Sequence, residues 1–195
     1  MFRYYIISII AAMAVIFGAN AAFVVPHGEI SYLSVLAYTV LAVAVAFAAD
    51  AIAALVSRYL IPKKFYDPLA KRFRCHKKEK KLYVKLGIRK WKDKIPETGG
   101  LLVGFQKKKA LDLHDNEYIY KFMQETCYAE VMHAWSVPLG FITLAFCPAP
   151  LRLTVALPVA IVNAILQLLP VAVQRFIRPQ LLRVYNANLL SSQKR

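Results

Sequence analysis

Acidic residues are scarce in this chain: eleven Asp and Glu stand against 26 Lys and Arg, a net charge of +15 over 195 residues. None of the acids follows Glu130. Cysteine is also scarce. Cys75, Cys127 and Cys147 are odd in number and lack any C-x-x-C spacing, which excludes a zinc framework and leaves them as small buried hydrophobes. The seven glycines form no nucleotide fingerprint, Walker loop or nucleophile elbow. No repeat or low-complexity tract divides the chain, so residues 1–195 read as one membrane domain. No nucleic-acid-binding fold accompanies the basic charge. It reads instead as membrane-side charge, attracted to anionic headgroups and phosphate-bearing ligands.

Apolar residues are what the chain has in plenty. They make up 58% of it, against about 45–50% in ordinary soluble domains. A spanning helix needs roughly 20 mainly apolar residues, and four stretches meet or approach that: 6–25, 33–56, 131–147 and 153–173. The expected class is an all-α integral membrane protein with four transmembrane helices. Arg3, the apolar run after it and Ala19-Asn20-Ala21 imitate a cleavable signal, but the expectation is an uncleaved first span. Lys and Arg concentrate in 58–130 and in the tail 174–195, while Pro26 to Tyr32 has none. The positive-inside rule therefore predicts a multi-pass protein of the cell membrane with both termini and the large loop cytosolic.

Within that loop, Asp67-Pro68 predicts an N-cap and first helical turn. The interfacial amphipathic helix it starts would run to about Leu86, with Leu69, Phe73 and Leu82 toward the membrane. Ile95-Pro96-Glu97-Thr98-Gly99-Gly100 predicts a turn. A second helix is expected from near Asp115 straight into span three, with Ile119, Phe122 and Met123 on one side. Pro138 interrupts it and leaves the carbonyl of Ala134 without its helical donor, beside His133. An amphipathic tail is expected through Leu182, Val184 and Leu189.

Ionisable side chains at the edge of a bilayer are costly and ask for a reason. Glu130 and His133 lie one helical turn apart at the mouth of span three, the spacing of a general base with an orienting carboxylate. Gln174, Arg175 and Arg178 follow span four. An arginine there snorkels to headgroups or, through its planar fork, clamps a phosphate or carboxylate. Trp91 and Lys92 read as an interfacial anchor in a basic surface, and Lys107 and Lys108 as a charge run able to meet phosphate after Gly99-Gly100 and Gly104. Asp50 lies eight residues inside Arg58, roughly 12 Å deep at the rise of a helix. It reads as neutral, as arginine-paired or as a substrate contact.

The order of these motifs resembles the glycosyl-4,4'-diaponeurosporenoate acyltransferase family. The resemblance rests on Arg89-Lys90-Trp91-Lys92-Asp93-Lys94-Ile95-Pro96-Glu97, Gly99-Gly100 and Gly104-Phe105-Gln106-Lys107-Lys108. It continues through Glu125-Thr126, Ala129-Glu130-Val131-Met132-His133 and Trp135, then Pro170, Val173-Gln174-Arg175-Phe176 and Arg178-Pro179, covering about Leu86 to Leu181. Tyr128, Ala134, Leu168, Ile177 and Gln180 depart from the family pattern.

The resemblance implies acyl transfer to a sugar hydroxyl of a membrane-embedded glycolipid. His133 would then be the base and Glu130 its orienter. Gln174 with Arg175 or Arg178 would hold the thioester carbonyl. Lys107, Lys108, Lys90 and Lys92 would draw in the phosphates of acyl-CoA or acyl-carrier protein, with Trp91 among the substrate-binding residues. Asp50 lies outside the resemblance, and its readings as a neutral, arginine-paired or substrate-contacting group stay open. No bound cofactor or metal is expected, and no nucleic acid. Two rival classes stay open: a small methyltransferase of the isoprenylcysteine type, which would want a carboxylate pair near its carboxyl end, and a non-enzymatic lipid-binding scaffold.

Overall fold

The computed structural model describes residues 2–28, 30–95 and 112–192, and no strand occurs among them. The expected turn at 95–100 and the residues Gly104, Lys107 and Lys108 lie almost wholly outside these described residues; only Ile95 falls inside. Four helical runs are long and apolar enough to cross a membrane: Ile6–His27, Tyr32–Leu60, Asn116–Phe146 and Ala149–Ser192. The all-α class with four spans is what the sequence predicts. The chain divides into two compact units, one of Met1–Val56 with Met132–Leu168, the other of Ser57–Val131 with Leu169–Arg195.

In the first unit, α1 (Phe2–Phe23) leads through a 3₁₀ turn at Val25–His27, where Pro26 stops the helix, to α2 (Tyr32–Leu55). Ser31 caps α2 by accepting the Ser34 amide at 3.1 Å. Along α2 the buried residues Val35, Thr39, Ala42, Ala46, Ala49 and Ala53 recur every three or four positions. Lipid supplies no hydrophobic drive between helices, so such small residues hold them by letting backbones approach closely. α2 packs there against the segments Gly140–Phe146 and Arg152–Ala156. Asn20 fastens α1 by donating to Ile16 O at 2.8 Å and to Thr154 O at 2.9 Å. The outer faces carry exposed Ile10, Val15, Leu33, Ile161 and Ile165, the surface a lipid solvent wants.

The second unit contains the basic segment, and here the expected amphipathic helix from Asp67 to about Leu86 does not form as one piece. The backbone makes 3₁₀ turns at Lys63–Tyr66 and Lys71–Phe73 before a shorter helix, α3 (Lys77–Lys85). Asp67 accepts the Leu69 amide at 3.0 Å and so closes a local turn rather than capping a helix. Phe73, expected to face the membrane, is buried with Tyr66 and Cys127, and its ring meets Phe65 edge-on at 6.1 Å. The carbonyls of Phe73 and Arg74 accept arginine side chains at 3.0 and 3.2 Å, which occupies acceptors a continuous helix would use.

α3 starts where Glu79 accepts the His76 amide at 3.3 Å. Gly87, at φ +68°, turns the chain into the short α4 (Ile88–Trp91), a left-handed bend that a Cβ would disfavour. α5 (Asn116–Leu139) begins as expected, with the Asp115 carboxylate accepting the Glu117 amide at 2.9 Å and that of Tyr118 at 3.2 Å. Ile119, Phe122 and Met123 are buried with Leu181. Just after Pro138, α5 tightens into 3₁₀ helix at Gly140–Phe146. α6 (Leu157–Ser192) runs for 36 residues through Pro170 and Pro179.

Candidate functional site

Two polar clusters stand out, one in each unit. In the second unit, Thr126 and Glu130 sit four residues apart on α5, and Arg175 and Arg178 three apart on α6, so each pair shares a helix face. Both Glu130 oxygens are taken, one by Arg175 Nη1 at 2.5 Å and the other by Arg178 Nη1 at 2.6 Å. Arg175 also forks onto Glu79, through Nε to one oxygen and through Nη2 to the other at 2.9 Å. Arg178 further donates from Nε to Thr126 Oγ1 at 2.8 Å and from Nη1 to the Phe73 carbonyl at 3.0 Å. Its guanidinium lies 5.2 Å from the centre of the Phe73 ring.

Arg178 is 2% exposed and Glu130 7%, so a single partner would leave a buried charge. Two carboxylates against two guanidiniums balance the cluster. The hydrogen bonds from Arg175 hold the Glu79 carboxyl down at about 2, against the partial burial that opposes them. The arginine donors that the sequence offers to a substrate are thus largely spent inside the protein. Arg178 Nη2 is enclosed and has no partner among the described residues.

In the first unit, Asp50 of α2 meets two side chains of α6. Gln167 Nε2 donates to its Oδ2 at 2.5 Å and Asn163 Nδ2 to its Oδ1 at 3.4 Å. Gln167 Oε1 lies 2.5 Å from Nδ1 of His133, on α5. Asp50 is therefore bonded to amides, not to an arginine. Ser136, one turn beyond His133, is fully buried. Gly140 makes room for this file: a Cβ there would stand 2.5 Å from Asn163 Nδ2.

The remaining candidates sit elsewhere. Trp91 donates from Nε1 to Leu86 O at 2.9 Å and packs with the buried Ile88, Val173 and Phe176. Lys92 pairs with its neighbour Asp93 at 2.8 Å in an exposed contact. Gln174 lies half-buried on α6 between Val173 and Arg175. Sequence reasoning missed Asn163, Gln167, Thr126 and Glu79. For the first two a signal was present: polar residues four apart on one face of an apolar run.

A family model described as glycosyl-4,4'-diaponeurosporenoate acyltransferase matches residues 62–187, well over half of the chain. The chain belongs to that family. The match begins earlier than the resemblance traced from Leu86 and takes in both clusters except Asp50. Comparison with curated proteins and with solved structures gave no match. Membership in an acyltransferase family, together with four membrane-capable helices, makes this a membrane transferase of the acyltransferase kind, and the family's name ties it to carotenoid biosynthesis.

Proposed function

We propose that the protein moves a fatty acyl group from a cytosolic thioester donor to a hydroxyl of a membrane-embedded glycolipid or glycosylated terpenoid, in the cell membrane, with both termini and the basic loop on the cytosolic side. The observation that carries this reading is an imidazole, His133, held at Nδ1 by a buried amide in a span of an acyltransferase-family chain. In this reading Nε2 of His133 takes the proton of the acceptor hydroxyl as its oxygen bonds to the thioester carbonyl carbon. The carbon–sulfur bond then breaks, and the thiolate leaves with the proton returned from the imidazolium. Acyl-CoA and acyl-carrier protein both present the required thioester and phosphate. Lys92, Lys107 and Lys108 supply positive charge for that phosphate, and Trp91 braces the segment that carries Lys92.

Glu130 serves this reading through Arg175 and Arg178. Its two contacts hold the start of span three to the end of span four. The test is lipid mass spectrometry of cells with and without the chain. A polar lipid heavier by one acyl group, present with the wild type and absent with His133→Ala at equal membrane abundance, is the expected result. Identical lipid profiles in the two strains would overturn the reading.

A further inference from the structure

We propose that Gln167 and Asp50 are positioning residues that hold His133 in the tautomer with its proton on Nδ1. The consequence for catalysis rests on the reading of His133 as general base. The tautomer itself rests on the hydrogen bonds alone.

A carboxylate only accepts, whereas a primary amide has one donating and one accepting end. The two oxygens of Asp50 face two amide nitrogens, Gln167 Nε2 at 2.5 Å and Asn163 Nδ2 at 3.4 Å. With its nitrogen committed to Asp50, Gln167 presents its oxygen to His133 Nδ1 at 2.5 Å. That ring nitrogen must therefore donate, and the lone pair of the neutral ring falls on Nε2. Acceptance by the Asp50 carboxyl polarises the amide, so the bond strengthens when the ring becomes cationic. Gln167 thus does for His133 what a directly bonded carboxylate does elsewhere, with one amide interposed.

The arrangement draws one residue from each of α2, α5 and α6 of the first unit, and Asp50 lies outside the family match at 62–187. Polar groups at this depth in apolar spans are expensive, and a chain built only to fill its core would place Leu at 50, 163 and 167. Gly140 sharpens the point, because any larger residue there would crowd the amide of Asn163.

The experiment labels histidine with ¹⁵N in the full chain in detergent micelles and reads the ring nitrogens, with the His133 signals identified by their loss in His133→Gln. Wild type should show the proton on Nδ1. Gln167→Leu should lose that preference and lower kcat about 10-fold or more, toward the 10²–10⁴-fold ceiling of a lost base, while KM for the donor stays within about twofold. Asp50→Asn combined with Gln167→Glu puts a carboxylate against Nδ1 and should restore the signature.

An unchanged Nδ1–H signature in folded Gln167→Leu would overturn the inference. If that variant fails to fold, Asp50→Asn alone decides. A mixed tautomer supports the inference, because the Gln167 amide is then no longer pinned, and an unaltered one overturns it. The ring signals are read without substrate. Absent acyl transfer by the wild type would therefore sink the proposed reaction while leaving the tautomer result to be judged by itself.

Discussion

Arg178→Lys keeps the charge at position 178 and removes the fork. In the structure that fork makes three bonds at once: to Thr126 Oγ1 at 2.8 Å, to the Phe73 carbonyl at 3.0 Å and to Glu130 at 2.6 Å. A single ammonium at the end of a flexible stem can follow Glu130 but not all three acceptors. A buried carbonyl left without its donor costs about 1–3 kcal/mol, and the lost stacking on Phe73 adds up to about 1 kcal/mol. Relief of the unpartnered Nη2 works the other way. The expected loss of stability is therefore about 2–3 kcal/mol. Arg178→Leu should lose more, about 3–5 kcal/mol, because Glu130 then shares only Arg175 with Glu79. The assay is unfolding in mixed micelles with rising SDS mole fraction, followed by circular dichroism. Wild-type stability of Arg178→Lys to within about 0.5 kcal/mol, the scatter of a neutral surface change, would refute the claim that the fork is spent inside the protein.

Acid should weaken the second unit through Glu79. Its carboxyl lies at about 2 in the fold and at the ordinary 4.5 when unfolded, so its stabilisation is complete above about pH 5 and drains away as pH falls toward 2. By linkage this is about 3 kcal/mol, and Glu79→Gln should flatten the acid limb of the stability profile; an unaltered limb would remove Glu79 as its cause. His133→Ala should cut acyl transfer by about 10²–10⁴-fold with little change in unfolding. Glu130→Gln should instead lower stability more than turnover per folded molecule, and the opposite ranking would return Glu130 to the chemistry. Reporters fused after Arg195 and within Lys77 to Lys81 should both read cytosolic, and an external reading of either would overturn the proposed sidedness.

How far the sequence carries can be judged residue by residue. The helix start at Asp115 was legible because a carboxylate before a run of buried residues is a local signal, and its two amide bonds are local as well. The start at Asp67 was misleading for the same reason. The signal was real, but the distant Arg175 and Arg178 take the Arg74 and Phe73 carbonyls, and the aromatic contacts of Phe65, Tyr66 and Phe73 fold the segment back. Glu130, Arg175 and Arg178 were identified by type and position, yet their partners were not, since spacing along a helix reports neighbours on that helix only.

What the amino-acid sequence determined by itself is the part governed by solvent and by local backbone chemistry. Apolar length sets four membrane-capable helices, and proline and cap residues set where several of them begin or change. Motif order sets the family. What the tertiary structure alone decided is which polar groups meet: Glu130 with two arginines in one unit, and Asp50 through Gln167 with His133 in the other. Those contacts join residues 34 to 117 positions apart. Short-range, directional hydrogen bonds select such partners only after helix packing has brought the faces together, and no periodicity in a single helix encodes that choice.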